Sequence, residues 1–127
     1  MANLANTLRQ LGRLTEAEGL QVQALEAMKE RLGERHPATL TTMDDLSITL
    51  QQLGRLTEAE GLQVQVLQAM KEKLGEGHPK TLRTMNNLAI TLKQLGRLTE
   101  AEGLQVQLLE ARKEKLEGRG TQTHSDP

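Results

Sequence analysis

The sixteen-residue stretch LRQLGRLTEAEGLQVQ, at residues 8–23, occurs three times in the chain. It returns as LQQLGRLTEAEGLQVQ at residues 50–65 and as LKQLGRLTEAEGLQVQ at residues 92–107, so fifteen of the sixteen positions are the same in every copy. The copies are 42 residues apart in a chain of 127 residues. A fixed period of this size is typical of arrays in which each unit buries its apolar face only against its neighbours. The repetition therefore predicts one domain and not three independent ones.

The composition excludes several classes of function. The net charge is −1, basic and acidic residues are interleaved, and the chain has no Phe, Tyr or Trp. We therefore expect no nucleic-acid binding, which needs basic patches or aromatic stacking surfaces. Cysteine is absent, which excludes disulfides and thiolate chemistry. No segment resembles a signal peptide or a membrane helix of about 18 apolar residues, so we predict a soluble, cytoplasmic protein that does not contact a membrane.

Leucine and alanine dominate the apolar residues, which favours helices over strands. Each unit contains two helical segments, here called helix A and helix B. In the second unit helix A begins at Pro37, because proline suits the first helical position. It ends at Gly54, because glycine adopts the left-handed conformation that closes a helix. The same two signals recur at Pro79 and Gly96.

Helix B follows helix A after a two-residue turn. Thr57 and Glu60 predict a capping box, in which each side chain bonds a free backbone N–H, and the motif recurs at Thr15 and Thr99. The helix continues for about 17 residues, or roughly 25 Å, as far as Leu74. Apolar residues at three- and four-residue steps give each helix one apolar face. The short link makes A and B an antiparallel hairpin, and the predicted fold class is all-α.

Several motifs together resemble a known family. They are NNLA at residues 86–89, LGR at 95–97, TEAE at 99–102 and LG-x-x-HP at 74–79. Their arrangement is similar to tetratricopeptide repeats, and most of all to the 42-residue type found in kinesin light chains. The resemblance implies a right-handed superhelix of three antiparallel helix hairpins, an α-solenoid. It also implies that the concave wall, built from A helices, binds a peptide or a partner protein.

The second face of helix A is the candidate binding surface. Ile48 and Ile90 are apolar residues at the centre of otherwise polar faces. An apolar centre surrounded by amide and carboxyl groups suits a peptide, whose backbone the amides can satisfy. The predicted partner-binding residues are Thr41, Asp44, Asp45, Ile48, Gln51, Gln52, Arg83, Asn86, Asn87, Ile90, Lys93 and Gln94. The alternative is a structural, self-assembling segment of a larger protein without a dedicated peptide ligand.

The residues that carry chemistry in other proteins do not form a predicted catalytic, metal or cofactor site. His36 and His78 occupy equivalent linker positions, and packed helices lie about 8–10 Å apart, too far for both to reach one metal at ~2 Å. We expect a structural role for them beside proline. His124 has no partner at ligand spacing, and no catalytic motif occurs. We therefore predict no enzyme activity, no cofactor and no metal.

The C-terminal part of the chain departs from the repeat. Arg112 stands where the first two units have Met28 and Met70, which predicts a polar outer face of the kind a terminal repeat needs. Residues 118–127 are polar and predict a disordered tail. The predicted repeat domain therefore covers residues 1–117, with units at about 1–36, 37–78 and 79–117.

The N-terminal unit predicts self-association. Its helix A starts about six residues late relative to the other units, and Asn6 takes the place of Ile48. If the start of helix A covers the end of helix B in the same hairpin, then Leu25 and Leu32 lie partly bare. A second copy would supply the missing cover. We therefore predict a homodimer at micromolar concentration, with Leu25 and Leu32 in the contact.

Overall fold

The computed structural model describes Leu4 and residues 12–121. The predictions about the start of the first helix, about Asn6 and about the tail from residue 122 onward, His124 included, lie outside these residues. Five α-helices follow one another, and residues 12–121 contain no strand. The all-α prediction is confirmed. The helices are α1 (Leu14–Leu32), α2 (Pro37–Gln52), α3 (Leu56–Leu74), α4 (Pro79–Gln94) and α5 (Leu98–Thr121).

Helices α2 and α4, the A helices of the second and third units, begin as predicted. Pro37 occupies the first turn of α2, and His36 is the N-cap. The His36 Nδ1 atom accepts a hydrogen bond from the backbone N–H of Ala38 at 3.0 Å. His78 caps α4 in the same way, through the N–H of Lys80 at 3.1 Å. The structural role predicted for the linker histidines is therefore confirmed at both positions.

The A helices also end as predicted. Gly54 follows α2 with a φ of +83°, a value that favours glycine. Its N–H donates to the carbonyl of Gln51 at 3.1 Å, and the N–H of Arg55 donates to the carbonyl of Leu50 at 2.9 Å. These two bonds are the Schellman closure, which satisfies carbonyls that the helix leaves free.

Helices α1 and α3, two of the B helices, begin differently from the prediction. Helix α3 starts at Leu56, its N-cap is Arg55, and no side chain caps it. Thr57 therefore lies inside the first turn, where its hydroxyl cannot serve as the N-cap. The Arg55 guanidinium instead donates to both carboxylate oxygens of Glu58 at 2.7 and 2.8 Å. The predicted capping box is wrong here and equally at α1, whose N-cap is Arg13.

Arg55 and Arg97, its counterpart one unit later, also connect neighbouring units. Arg55 donates to Glu18 of the preceding unit at 2.6 Å, and Arg97 donates to Glu60 at 2.7 Å. The side chains of Glu18 and Glu60 are mostly buried, so these pairs are less screened by water than ordinary surface salt bridges. Each unit is therefore joined to the next by an ionic contact as well as by its apolar core.

The core lies between consecutive helices. Each helix packs against the next along the chain, and α2 also touches α4. Leu25 of α1 is only 6% exposed, in one cluster with Leu40 and Met43 of α2. Its counterpart Leu67 is buried to the same degree in the following cluster. The prediction that Leu25 lies partly bare is wrong, because the following unit covers this position.

Leu32 is 45% exposed, as predicted, but for a different reason. Leu74 occupies the same position in the second unit and is 36% exposed, although its hairpin begins with a complete helix A. The exposure of Leu32 is therefore a property of the repeat, and a late start of the first helix is not needed to explain it.

The outer side of α5 is less polar than predicted. Arg112 is exposed, but Leu109 and Leu116 on the same helix are 67% and 68% exposed. Helix α5 also continues to Thr121, so the domain end predicted at residue 117 falls inside a helix. The glycines at 118 and 120 do not prevent this, because glycine in a helix costs only about 1 kcal/mol. The division into units stays a prediction.

Candidate functional site

The A-helix face, meaning the twelve predicted partner-binding residues, lies on two helices that touch each other, α2 and α4. Arg83 of α4 joins their charged groups. Its Nε atom is 3.8 Å from Oδ2 of Asp44, and its Nη2 atom is 3.6 Å from Oδ1 of Asp45. The arginine side chain is exposed, whereas Asp44 is buried and Asp45 half-buried. The face therefore presents a guanidinium to solvent with two carboxylates behind it.

Sequence reasoning placed these three residues on one surface but did not predict their pairing. Arg83 is the repeat counterpart of Thr41 and not of an aspartate. The pairing depends on the register in which α4 packs beside α2, and no local signal in the sequence encodes that register.

Asp44 has a perturbed carboxyl group. Burial raises the pKa of Asp44; the Arg83 guanidinium lowers it and the neighbouring Asp45 carboxylate raises it further. Its Oδ1 atom has no hydrogen-bond partner among the described residues. Desolvation without full compensation destabilises the charged form of a carboxyl group. The charged form of Asp44 therefore lowers the free energy of unfolding.

We expect Asp44→Asn to raise the melting temperature at pH 7 and to leave it nearly unchanged at a pH of about 3. A carboxyl whose pKa is raised by folding holds its proton more tightly in the folded chain. Its destabilising effect is therefore absent below the ordinary aspartate pKa of about 3.9, grows as pH rises from that value to the folded pKa, and is complete above it. Asn86 occupies the equivalent position in α4, so an asparagine suits this site.

Thermal melting followed by circular dichroism at the two pH values measures this effect. Asp45→Asn, at a half-buried neighbour, is the control and should change the melting temperature less. A lower melting temperature of Asp44→Asn at pH 7 would contradict the expectation, since it would mean that attraction to Arg83 outweighs burial.

Gln51 is engaged within the protein. Its Nε2 atom donates to the backbone carbonyl of Asn87 at 3.2 Å and to the Thr91 hydroxyl at 2.7 Å. These bonds connect α2 to α4 and leave this amide group less free for a ligand than the sequence suggested. Lys93, the counterpart of Gln51 one unit later, is exposed.

The other residues of the A-helix face differ in how far they are exposed to solvent. Ile90 is 39% exposed and Ile48 is half-buried. The Thr41 hydroxyl donates to the carbonyl of Pro37 within its own helix at 3.0 Å. Of the remaining positions, Gln52, Lys93 and Gln94 are exposed, and Asn86 and Asn87 are half-buried. The accessible part of the face therefore lies mainly on α4.

The described residues contain neither a metal site nor a membrane-spanning helix. In that part of the chain no group of three or more His, Asp or Glu side chains is arranged to hold a metal ion. The helices from α1 to α5 include none that is both long and apolar enough to cross a membrane.

The tetratricopeptide repeat family matches residues 1–72 and 46–114, which together cover most of the chain. The chain belongs to the tetratricopeptide repeat family. The alternation of A and B helices, each packed on the next, is the arrangement that this membership requires.

Solved structures of tetratricopeptide repeat proteins superpose on the chain. One is a putative kinesin light chain of Podosopora anserina with nearly identical TPR-like repeats, at a TM-score of 0.84 and 27% identity, covering 90% of this chain and 54% of that one. A variant of that protein matches at a TM-score of 0.84 and 26% identity, with the same coverage. BtubC (BKLC) from P. vanneervenii matches at a TM-score of 0.83 and 22% identity, covering 88% of this chain and 44% of that one.

These matches confirm the resemblance to repeats of the kinesin-light-chain type. At 22% identity the likeness to BtubC shows the fold alone. The chain spans about half the length of the structures it matches. No match was found among curated protein sequences.

Proposed function

We propose that this tetratricopeptide repeat chain is a non-catalytic scaffold that binds a peptide segment or a partner protein. Members of the family are generally protein–protein interaction scaffolds. The proposed binding surface is the A-helix face, as the concave wall of the superhelix. The proposal includes a cytoplasmic location, which fractionation of the source cell tests.

One observation carries the proposal, namely the row of accessible residues along α4. Arg83, Ile90 and Gln94 follow at steps of seven and four residues, which brings them to one side of a helix. Ile90 is partly exposed between charged and amide groups, and Ile48 repeats it on the touching helix α2. Such a surface offers a partner apolar contact together with charge-assisted hydrogen bonds.

Affinity capture from an extract of the source cell tests this function. We expect Ile48→Asp/Ile90→Asp to capture at least about tenfold less of the partners that the unaltered chain retains. Apolar residues buried at the centre of an interface carry much of its affinity. Val64→Asp is the matched control, since Val64 is as exposed as Ile90, at 39%, but lies on helix B. Equal retention of specific partners by all three proteins would contradict the assignment of the A-helix face.

The outer side of α5 favours self-association as a second function. Leu109 is 67% exposed, whereas Leu25 and Leu67, its counterparts, are buried beneath the following A helix. A second copy that covered Leu109 and Leu116 would gain up to about 1.5–3 kcal/mol per leucine. We therefore place the proposed homodimer contact at α5 and not at Leu25, with Leu32 unassigned.

Size exclusion coupled to light scattering measures this association. At micromolar concentration we expect a mass near twice 14.1 kDa, which should fall to the monomer value in Leu109→Glu/Leu116→Glu. Leu74→Glu, at an exposed leucine of α3, is the control and should keep the dimer. A monomer mass for the unaltered chain would rule out the dimer, and a dimer in the double variant would rule out α5 as its contact.

A further inference from the structure

The structure contains two equivalent clefts away from the A-helix face. The first cleft lies between the end of α1, the linker that follows it and α3; Lys29, Arg35, Met43 and Gln68 are among its lining residues. The second cleft lies one unit later, between α3, its linker and α5; Lys71, Gly77, Met85, Glu110 and Glu114 are among its lining residues. Because the two clefts occupy equivalent positions in successive units, each can be compared with the other residue by residue.

Arginine fills part of the first cleft and is missing from the second. The guanidinium of Arg35 donates from Nη2 to Oε1 of Glu72, which connects the first linker to α3. The equivalent linker residue is Gly77, and a side-chain carbon added there would meet no atom within 4 Å. The volume of the first cleft is about 210 Å³ and that of the second is about 600 Å³.

The second cleft nevertheless keeps the acidic residue that binds the arginine in the first cleft. Glu114 is the counterpart of Glu72, and Glu110 replaces Gln68 one helical turn before it. With Glu76 in the linker, the second cleft has three acidic residues and one basic residue, Lys71. None of the three acids forms an ion pair with another described side chain. The second cleft therefore has the acceptors for a cation and the space for one, but lacks the arginine of its own chain.

We propose that the second cleft binds an arginine side chain of a partner peptide. The guanidinium takes the place that Arg35 occupies in the first cleft and donates to Glu114. Glu110, one turn away, adds a second carboxylate, which suits the planar fork of arginine better than the single ammonium of lysine. Met85 and Ala111 line the same cleft and offer apolar contact to the methylene stem.

This site is separate from the proposed peptide-binding surface, because none of its residues belongs to the A-helix face. The first cleft shows the same helix position bound to an arginine within the same chain. The two differences between the clefts, Gly77 for Arg35 and Glu110 for Gln68, both favour a cation supplied from outside.

Nuclear magnetic resonance titration of the ¹⁵N-labelled full chain tests the proposal. The probe is the capped peptide Ac-Gly-Arg-Gly-NH2 at low ionic strength, compared with a citrulline peptide that has nearly the same shape without the charge. We expect saturable shifts of the amides of Gly77, Glu110 and Glu114 with the arginine peptide, and at least about fivefold weaker binding of the citrulline peptide.

Three variants sharpen the result. Gly77→Arg should fill the cleft from within and abolish the shifts, and Glu110→Gln/Glu114→Gln should weaken binding about fivefold or more. Glu26→Gln/Glu30→Gln removes the equivalent pair of charges on α1 and should bind as the unaltered chain does.

The proposal is overturned if the citrulline peptide binds equally well or if Gly77→Arg still binds the arginine peptide. Saturable shifts at these amides with calcium chloride, but none with the peptide, would overturn it too and would assign the cleft to a metal cation. Because Ile48→Asp/Ile90→Asp leaves this cleft unaltered, that variant should keep the arginine-peptide shifts even if the A-helix face proves inactive.

Discussion

We expect Leu25→Glu to unfold the chain and Leu109→Glu, at the same repeat position, to leave it folded. Leu25 is 6% exposed among residues of α1, α2 and α3. The substitution forgoes about 1.5–3 kcal/mol of leucine burial and buries a carboxylate without a partner, at a further cost of at least about 2 kcal/mol. The total approaches the lower end of the typical net stability of about 5–15 kcal/mol.

Leu109 provides the control because the repeat supplies the same local sequence without the covering helix. It is 67% exposed in the monomer, so below the concentration at which the proposed dimer forms a glutamate there stays in water and should change the free energy of unfolding by about 0.5 kcal/mol or less. Urea unfolding followed by circular dichroism compares the two variants. A folded Leu25→Glu with an unchanged midpoint would contradict the packing of α1 against α2. A large loss for Leu109→Glu below the concentration of dimer formation would contradict the exposure of this leucine in the monomer.

The helix boundaries that the sequence predicted well are those set by a single residue acting on its own backbone. Pro37 and Pro79 begin α2 and α4, and Gly54 and Gly96 follow their ends. Proline fixes φ, and glycine accepts a positive φ wherever the chain places it. These effects need no knowledge of the rest of the fold.

The predictions that failed depend on contacts between units. Leu25 was expected to lie partly bare, because its cover was assigned to the start of helix A in its own hairpin, but α2 of the next unit covers it. Thr57 was expected to cap α3, but the N-cap is Arg55, two residues earlier, and Arg55 is bound to Glu58 and to Glu18 of the preceding unit. The 42-residue period is compatible with either arrangement, so the sequence pattern alone does not select between them.

In the candidate site, too, the features that the sequence predicted are local and those it missed depend on contacts between units. The repeat spacing placed Ile48 and Ile90 at matching positions on the A helices, and both have some exposure to solvent. The bonds from Gln51 to α4 and the pairing of Arg83 with Asp44 were not predicted, because each joins side chains about 40 residues apart. The stacking of A helices decides which polar groups remain available to a ligand.

Gln63 is a polar residue in the core, and its position in the repeat did not predict its burial. It lies in the stretch that recurs almost unchanged, and it is 0% exposed with neither amide atom hydrogen-bonded to the protein. Gln21, its counterpart in the first unit, is also buried and has an unpaired Oε1 atom. In the third unit Gln105 is exposed, because no further helix A covers that side of α5 within the described residues. The same glutamine therefore has opposite environments in one chain.

We expect Gln63→Met to stabilise the chain by about 1–3 kcal/mol, because methionine has a similar length and removes a buried amide that lacks partners. The melting temperature should rise by about 5–10 °C. Gln105→Met, at the exposed copy, should change the free energy of unfolding by about 0.5 kcal/mol or less. Urea and thermal unfolding of both variants measure the difference. A loss of stability in Gln63→Met would contradict the expectation, since it would show that the amide gains more from polar partners in the folded chain than it loses by leaving water.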